Sequence, residues 1–300
     1  MTACGVVGAG AIGHGFVTSL VRAGFPVTVF DVDAATAAAA GEAGATVSPS
    51  LEALARGADV VLLALPDTPQ IEDALEGGLE AGLRPGSILV ITSTVAPETP
   101  VELEQRLAAR GIDVLDAPLS GGPVKAAAGE LAMMVGGRRE VFERCRPVLG
   151  ALSGHLVRVG PAGHGEIAKL VNNLIGAVIV EAIAEGVALA AKSGADVRAV
   201  CEAVAGGSGS SWILREWIPD TVFRGDYARR FSLELMAKDM GLFRALAEPL
   251  GVPTPALDVA AAAFDRAVAA GYGAFDFSLT VPLRAGEVGA ELPADMQHEE

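Results

Sequence analysis

Cysteine, aromatic side chains and positive charge are all scarce in this 300-residue chain, and each shortage removes a class of explanation. Cys4, Cys145 and Cys201 are odd in number and widely spaced, so neither a disulfide framework nor a Cys-x-x-Cys motif is present. Reduced thiols packed in the interior of a cytoplasmic protein are the expectation. The histidines at 14, 155, 164 and 298 have no ligand spacing either, and no metal is expected. With only 5% aromatic residues, alanine and glycine must fill much of the interior, which favours closely packed helices. Lysine and arginine number 22 against 37 acidic residues, a formal charge of −15. That balance speaks against nucleic acid or an anionic membrane as a partner. It also gives a small acid no long-range attraction, since such fields fade over about 8 Å at physiological salt. Local groups must hold it.

No basic segment and apolar run precede Cys4-Gly5-Val6-Val7, so no signal peptide is expected. The most apolar long stretch, 170–191, is interrupted by Asn172, Asn173, Glu181 and Glu185, which suits a central helix better than a membrane span. What is present is ample hydrophobic material, 51% of residues against 20% charged, enough for two domains.

Up to about residue 160, short β-rich runs alternate with helical stretches, the pattern of a mostly parallel, doubly wound sheet. The runs are 4–7, 26–30, 59–65, 87–92, 112–115, 131–135 and 155–159, and the clearest helical stretches are 11–23, 34–43 and 97–110. Beyond Pro161 the β-runs cease. Residues 165–192 read as one long helix, apolar on nearly every side, followed by helical segments near 196–205, 210–217, 233–250 and 255–271. The expected division is an α/β domain over 1–161 and an all-α domain over 162–300, with the long helix as wall between them and an acidic, frayed tail from about 291.

Gly8-Ala9-Gly10-Ala11-Ile12-Gly13 follows a strand and opens a helix. Gly8 permits a tight turn, Gly10 admits a pyrophosphate, Gly13 allows close helix–strand packing, and the N–H groups at Ala11 and Ile12 start the helix that faces the phosphates. A second run, Val27-Thr28-Val29-Phe30-Asp31, ends on a carboxylate eighteen residues beyond Gly13, where a ribose 2′-hydroxyl is read. A 2′-phosphate there would be repelled, and 23–55 contains no lysine or arginine to neutralise it. NAD is therefore preferred over NADP.

After the run at 112–115 comes Asp116-Ala117-Pro118-Leu119-Ser120-Gly121-Gly122-Pro123. Its serine hydroxyl and unobstructed glycine N–H groups could cradle a carboxylate, although a plain turn explains the same residues. On the long helix, Lys169 and Asn173 lie four apart and share a face. On pattern alone a lysine there reads more often as a snorkelling side chain. A buried helix, Asn172 and Asn173 on its side and the glycines at 163 and 165 shift the balance. A buried lysine has its pKa pushed down towards a range useful for proton transfer.

With these segments in order, the chain resembles the β-hydroxyacid dehydrogenase family, which includes 3-hydroxyisobutyrate dehydrogenase and tartronate semialdehyde reductase. The resemblance rests on the glycine fingerprint, Leu65-Pro66, Ser93-Thr94, the 116–122 segment, the run 129–137, Gly163-x-Gly165-x-x-x-Lys169-x-x-Asn172-Asn173 and Lys238-Asp239. It implies a Rossmann domain followed by a helical domain, assembled as a homodimer or homotetramer. It also implies that Lys169 is the catalytic acid/base, with Asn173 beside it. Ser120, Gly121, Gly122 and Asn173 would anchor a small carboxylic acid. Leu65, Pro66, Thr94 and Lys238 would line the cofactor site. Departures occur at Thr92, where many relatives are acidic, and at Leu119, where valine is common. Lys125 points to the aldonate and tartronate-semialdehyde branches, and Trp212 and Phe231 suit either pocket or core. Three other readings remain: an imine reductase-like enzyme, a decarboxylating enzyme of the 6-phosphogluconate type, which is usually longer and has histidine where Asn172 stands, or a non-catalytic dinucleotide-binding member of the same fold.

Overall fold

The computed structural model describes residues 1–228 and 230–292. His298 and most of the expected acidic tail lie outside the described residues. The chain divides into two compact units, one from Met1 to Lys169 and the other from Leu170 onward.

The first unit is a twisted sheet wrapped by helices. Its strands are β1 (Cys4–Val7), β2 (Val27–Phe30), β3 (Thr46–Val47), β4 (Val60–Leu63), β5 (Ile88–Ile91), β6 (Asp113–Asp116), β7 (Leu119–Ser120), β8 (Leu131–Gly136) and β9 (Ser153–Gly160). The order is β3-β2-β1-β4-β5-β6-β8-β7, with β9 pairing β8. From β3 to β6 every pair is parallel; β8 then runs antiparallel to β6 and β7. Helices α1 (Ala11–Arg22), α2 (Ala34–Glu42), α3 (Leu51–Gly57), α4 (Thr68–Ala74), α5 (Glu80–Gly82), α6 (Glu98–Ala108), α7 (Gly122–Ala128) and α8 (Arg139–Leu152) connect the strands.

The sequence of β4 and β5, Val-Val-Leu-Leu and Ile-Leu-Val-Ile, is buried throughout, as a parallel sheet covered on both faces requires. Alternate residues feed two cores: Val6, Leu62 and Val90 on one side, Val7, Leu63 and Ile91 on the other. Local capping starts several helices. Asp33 accepts from the Thr36 N–H at 2.9 Å, and Ser50 from the Ala53 N–H at 3.1 Å. Against the sequence expectation, β3 and β7 are additional strands, and Gly122-Pro123 begins a helix, α7, instead of continuing a turn.

The second unit is helical. Among its described residues the one β interaction is an isolated bridge between Ser232 and Asp276. Helix α9 (His164–Lys192) begins in the first unit and runs into the second. After it come α10 (Val197–Ala205), α11 (Ile218–Asp220), α12 (Leu233–Ala247), α13 (Pro255–Ala267) and α14 (Thr280–Glu287). Their core gathers Val180, Ala184, Ile218, Leu233, Met240, Leu257 and Phe264. The long helix is long and apolar enough to cross a membrane by length and composition. Yet it buries polar residues against partners in its own unit: Asn173 bonds Asp239, and Glu181 pairs with Arg284 at 3.2 Å. It is also less enclosed than its sequence suggests. Val171, Ile175 and Leu189 stay exposed, Leu189 at 72%.

Candidate active site

In the first unit the fingerprint glycines sit at the carboxyl end of β1. Gly8 adopts φ +87°, and a Cβ there would lie 2.5 Å from the Ala64 carbonyl. A Cβ at Gly13 would come within 1.9 Å of the Gly8 carbonyl oxygen, so only glycine lets α1 close on the turn. A Cβ at Gly10 would meet nothing within 4 Å; that glycine is exposed beside open space. Ala11 and Ile12 form the first helical residues after it. This is the cradle a pyrophosphate needs, and the residues present fit a dinucleotide.

Asp31 follows β2. Its Oδ2 accepts the Ala9 N–H at 2.6 Å and its Oδ1 the Asp33 N–H at 2.9 Å, which ties the carboxylate to the glycine turn itself. Leu65 and Pro66 follow β4, and Ser93 and Thr94 follow β5. The Ser93 hydroxyl donates to the Leu65 carbonyl at 2.6 Å and joins these two loops. All lie at the carboxyl ends of parallel strands, the edge where doubly wound sheets bind ligands.

The 116–122 segment leaves the same edge after β6. Leu119 and Ser120 pair with Met133 and Ala132. Gly121 and Gly122 have φ +134° and +70°, and a Cβ on Gly122 would meet nothing. Lys125 folds its methylenes over Gly121, whose Cβ would stand 2.9 Å from Lys125 Cδ. Helix α7 then packs on α1. Gly15 makes room for Ala126, and the Ser19 hydroxyl donates to the Ala126 carbonyl at 2.8 Å. The Ser120-Gly121-Gly122 turn and the glycine turn are thus supported by one helix pair.

The start of α9 is fastened to this edge. Asp116, fully buried, accepts the Gly163 N–H on Oδ1 at 2.9 Å and the Glu166 N–H on Oδ2 at 3.0 Å. Burial pushes the Asp116 carboxyl above its ordinary range, and the backbone donors partly oppose that shift. Glu166, also fully buried, accepts the Val95 N–H at 3.1 Å. Lys169, three residues further, is 6% exposed and not a snorkelling surface residue.

In the second unit, Asn173 is buried and its Nδ2 donates to Asp239. The Lys238 ammonium lies 3.5 Å from the other Asp239 oxygen, so Lys238 is a half-buried cation paired with a buried acid. Sequence reasoning gave Asp239 and Asp116 no role of their own, although both belong to motifs it had quoted; acids bonded inside a fold leave no periodic signal. Trp212 and Phe231 join an aromatic group. Trp212 meets Trp217 edge-on at 5.3 Å and Phe231 meets Phe277 at 6.2 Å, around the buried Asp276 that accepts the Trp217 indole N–H. No group of His, Cys, Asp and Glu suited to a metal occurs among the described residues.

Residues 3–160 match the family model described as the NAD binding domain of 6-phosphogluconate dehydrogenase. Residues 163–283 match that of the NAD-binding region of NADP-dependent 3-hydroxyisobutyrate dehydrogenase. An L-threonate dehydrogenase of Escherichia coli is 35% identical over 286 residues, covering 94% of each chain. This chain belongs to the β-hydroxyacid dehydrogenase family. An NAD-dependent L-serine dehydrogenase of Pseudomonas aeruginosa is 33% identical, covering 92% of this chain and 96% of the relative. The structure of Mycobacterium tuberculosis 3-hydroxyisobutyrate dehydrogenase with L-serine superposes with a TM-score of 0.87 at 31% identity, covering 97% of this chain and all of the other. As a member of this family the protein is an NAD(P)-binding dehydrogenase acting on CH–OH groups.

Proposed function

We propose that this dehydrogenase reversibly oxidises a small 3-hydroxy acid with NAD, of the 3-hydroxyisobutyrate, glycerate/tartronate semialdehyde or aldonate type. The names of the relatives, L-threonate and L-serine dehydrogenases, support that substrate class. In this reading Lys169 is the general acid/base, the Ser120-Gly121-Gly122 turn holds the substrate carboxylate, and Asn173 helps to anchor the substrate. Gly8, Gly10, Ala11, Ile12, Gly13, Asp31, Leu65, Pro66, Thr94 and Lys238 serve the cofactor. The division of labour is an NAD-binding domain over 1–161 and a substrate domain over 162–300.

One observation carries the assignment: Lys169 is buried on a helix whose first turn is bonded to the loops at the sheet's carboxyl edge. A positioned amine at this point would accept the hydroxyl proton as hydride leaves and return it in the reverse direction. NAD, when bound, supplies the hydride acceptor. The hydroxyl and backbone donors of 120–122 neutralise the acid's carboxylate without a full positive charge, and Asn173 adds an amide from one turn beyond Lys169. Asp31 favours NAD, because its carboxylate would repel a 2′-phosphate.

NADH fluorescence during incubation with NAD or NADP and L-threonate, L-serine, glycerate or 3-hydroxyisobutyrate tests this directly. NADH formation with at least one acid is expected, faster with NAD. Lys169→Ala is expected to cut kcat by roughly a hundred- to ten-thousand-fold while NADH still binds, the usual worth of a positioned acid/base. An unimpaired mutant sinks the assignment.

The exposed apolar positions Val171, Ile175 and Leu189 along one helix support assembly as a homodimer or homotetramer, checked by light scattering. Three buried, unpaired cysteines support a reducing, cytoplasmic location.

A further inference from the structure

We infer that Asp116 and Glu166 are positioning residues for proton transfer, because their carboxylates fasten the first turn of α9 to the loops after β5 and β6. In doing so they fix the start of the helix that carries Lys169 relative to the strand that leads into the Ser120-Gly121-Gly122 turn. The inference rests on the assignment of Lys169 as the acid/base.

The first N–H groups of a helix have no partner within it. Here two of them, on Gly163 and Glu166, are taken by the two oxygens of one side chain, Asp116, supplied by the last residue of β6. The fit has little slack. A Cβ at Gly136 would stand 2.3 Å from Asp116 Oδ1, and one at Gly165 would stand 2.6 Å from Oδ2 and 2.5 Å from the Met134 carbonyl. Gly163 holds φ +85° against the Pro97 carbonyl, where a side chain would clash at 2.5 Å. Helix and strand therefore have one register open to them.

Glu166 completes the junction from the other direction. Its side chain reaches back to the Val95 N–H, the residue after Thr94. Three segments meet at these two acids: the loop after β5, the strand that leads into the Ser120-Gly121-Gly122 turn, and the helix that carries Lys169. Ser120 is four residues beyond Asp116 and Lys169 three beyond Glu166, so short, stiff connections join both functional groups to the same anchor.

Stability alone is a poor reason for the arrangement. Two fully buried carboxylates carry a desolvation cost that apolar side chains of similar size would avoid. What they provide is direction: each fixes particular N–H groups at hydrogen-bond distance. A reacting group displaced by 1 Å can lose on the order of a hundredfold in rate.

The test compares Asp116→Asn, Glu166→Ala, Glu166→Gln, Lys169→Ala and the double variant Asp116→Asn/Lys169→Ala. The readouts are kcat and KM with L-serine, L-threonate and 3-hydroxyisobutyrate, together with NADH affinity by fluorescence. Asp116→Asn and Glu166→Ala are expected to lower kcat by about tenfold or more, as a displaced amine should, with NADH affinity within about twofold. Glu166→Gln keeps an oxygen for the Val95 N–H and is expected to recover most of the loss. Adding Asp116→Asn to Lys169→Ala is expected to cost less than about twofold further, since the effect acts through the amine.

If Lys169→Ala keeps its kcat, the acid/base assignment fails and this inference falls with it. If Lys169→Ala is inactive while Asp116→Asn and Glu166→Ala turn over like the parent, or if the double variant multiplies the losses, this inference alone is overturned. Should Asp116→Asn fail to bind NADH, the contrast between Glu166→Ala and Glu166→Gln decides: equal kcat in the two refutes positioning.

Discussion

The side-chain amide of Asn173 donates to the buried Asp239 carboxylate at 2.5 Å, while its carbonyl oxygen accepts from Asn172 at 2.9 Å. A carboxylate can only accept, so the pair defines which way the Asn173 amide faces. Asp239 also lies 3.5 Å from the Lys238 ammonium, so one acid links a proposed substrate residue with a proposed cofactor residue. Asp239→Ala leaves the Asn173 donor without this acceptor, a loss of about 1–3 kcal/mol for a buried group. The expected outcome is a raised KM for the acid substrate and a lower Tm, checked by steady-state kinetics and calorimetry.

Asp31 tests cofactor choice. Replacing it with alanine removes both the repulsion against a 2′-phosphate and the hydrogen bond its carboxylate would accept from a ribose 2′-hydroxyl. Hydrogen bonds to charged groups contribute about 1.5–3 kcal/mol, so the NAD-over-NADP ratio of kcat/KM should fall roughly ten- to a hundredfold. An unchanged ratio assigns the preference elsewhere.

Gly13→Ala forces a methyl group into the Gly8 carbonyl. Over-packing of this kind costs typically about 1–3 kcal/mol, and here the strain falls on the turn that would face the pyrophosphate. NADH affinity is expected to drop by more than the Tm shift alone explains, measured by fluorescence titration beside thermal melting.

Glu181 offers a pH signature. Burial raises its pKa, and the Arg284 guanidinium at 3.2 Å only partly opposes that. The folded state therefore holds a proton more tightly than the unfolded chain does. Its stabilising contribution is complete below the ordinary glutamate range and is lost as pH rises through the raised folded value. Glu181→Gln should flatten this part of the Tm-against-pH curve. An identical slope in both proteins excludes Glu181 as its source.

The three thiols offer a simpler check. Burial pushes Cys4 up to about 12 and raises Cys145 and Cys201 as well. Thiolates, not thiols, react, so thiol reagents should label the native protein slowly and the unfolded chain at all three positions. Mass spectrometry of the labelled protein gives the count.

Much of the fold could be read from the chain because its strongest signals are local. Continuous apolar runs at 4–7 and 60–63 become strands near their expected limits, and the helix from 164 to 192 begins one residue early. The strands missed, Thr46–Val47 and Leu119–Ser120, are two residues long and owe their existence to neighbours. Helix α7 was hidden because Gly122-Pro123 reads as a turn, and only its packing on α1 through Gly15 and Ser19 makes seven residues helical. Among candidate site residues, the glycines and Asp31 announced themselves through spacing. Asp116, Glu166 and Asp239 did not, since their partners lie 47 or more residues away along the chain.

Two things are written into the order of residues alone. One is the glycine turn that a dinucleotide needs, because φ and close backbone approach depend on the missing side chain. The other is the shared face of Lys169 and Asn173, because helical pitch fixes residues four apart. Folding decided the rest. Whether Lys169 reaches solvent or is buried, which N–H groups Asp116 captures and which way the Asn173 amide turns are outcomes of long-range packing and hydrogen-bond satisfaction in a dry interior. No local pattern encodes those distances; they exist only once distant segments have closed on one another.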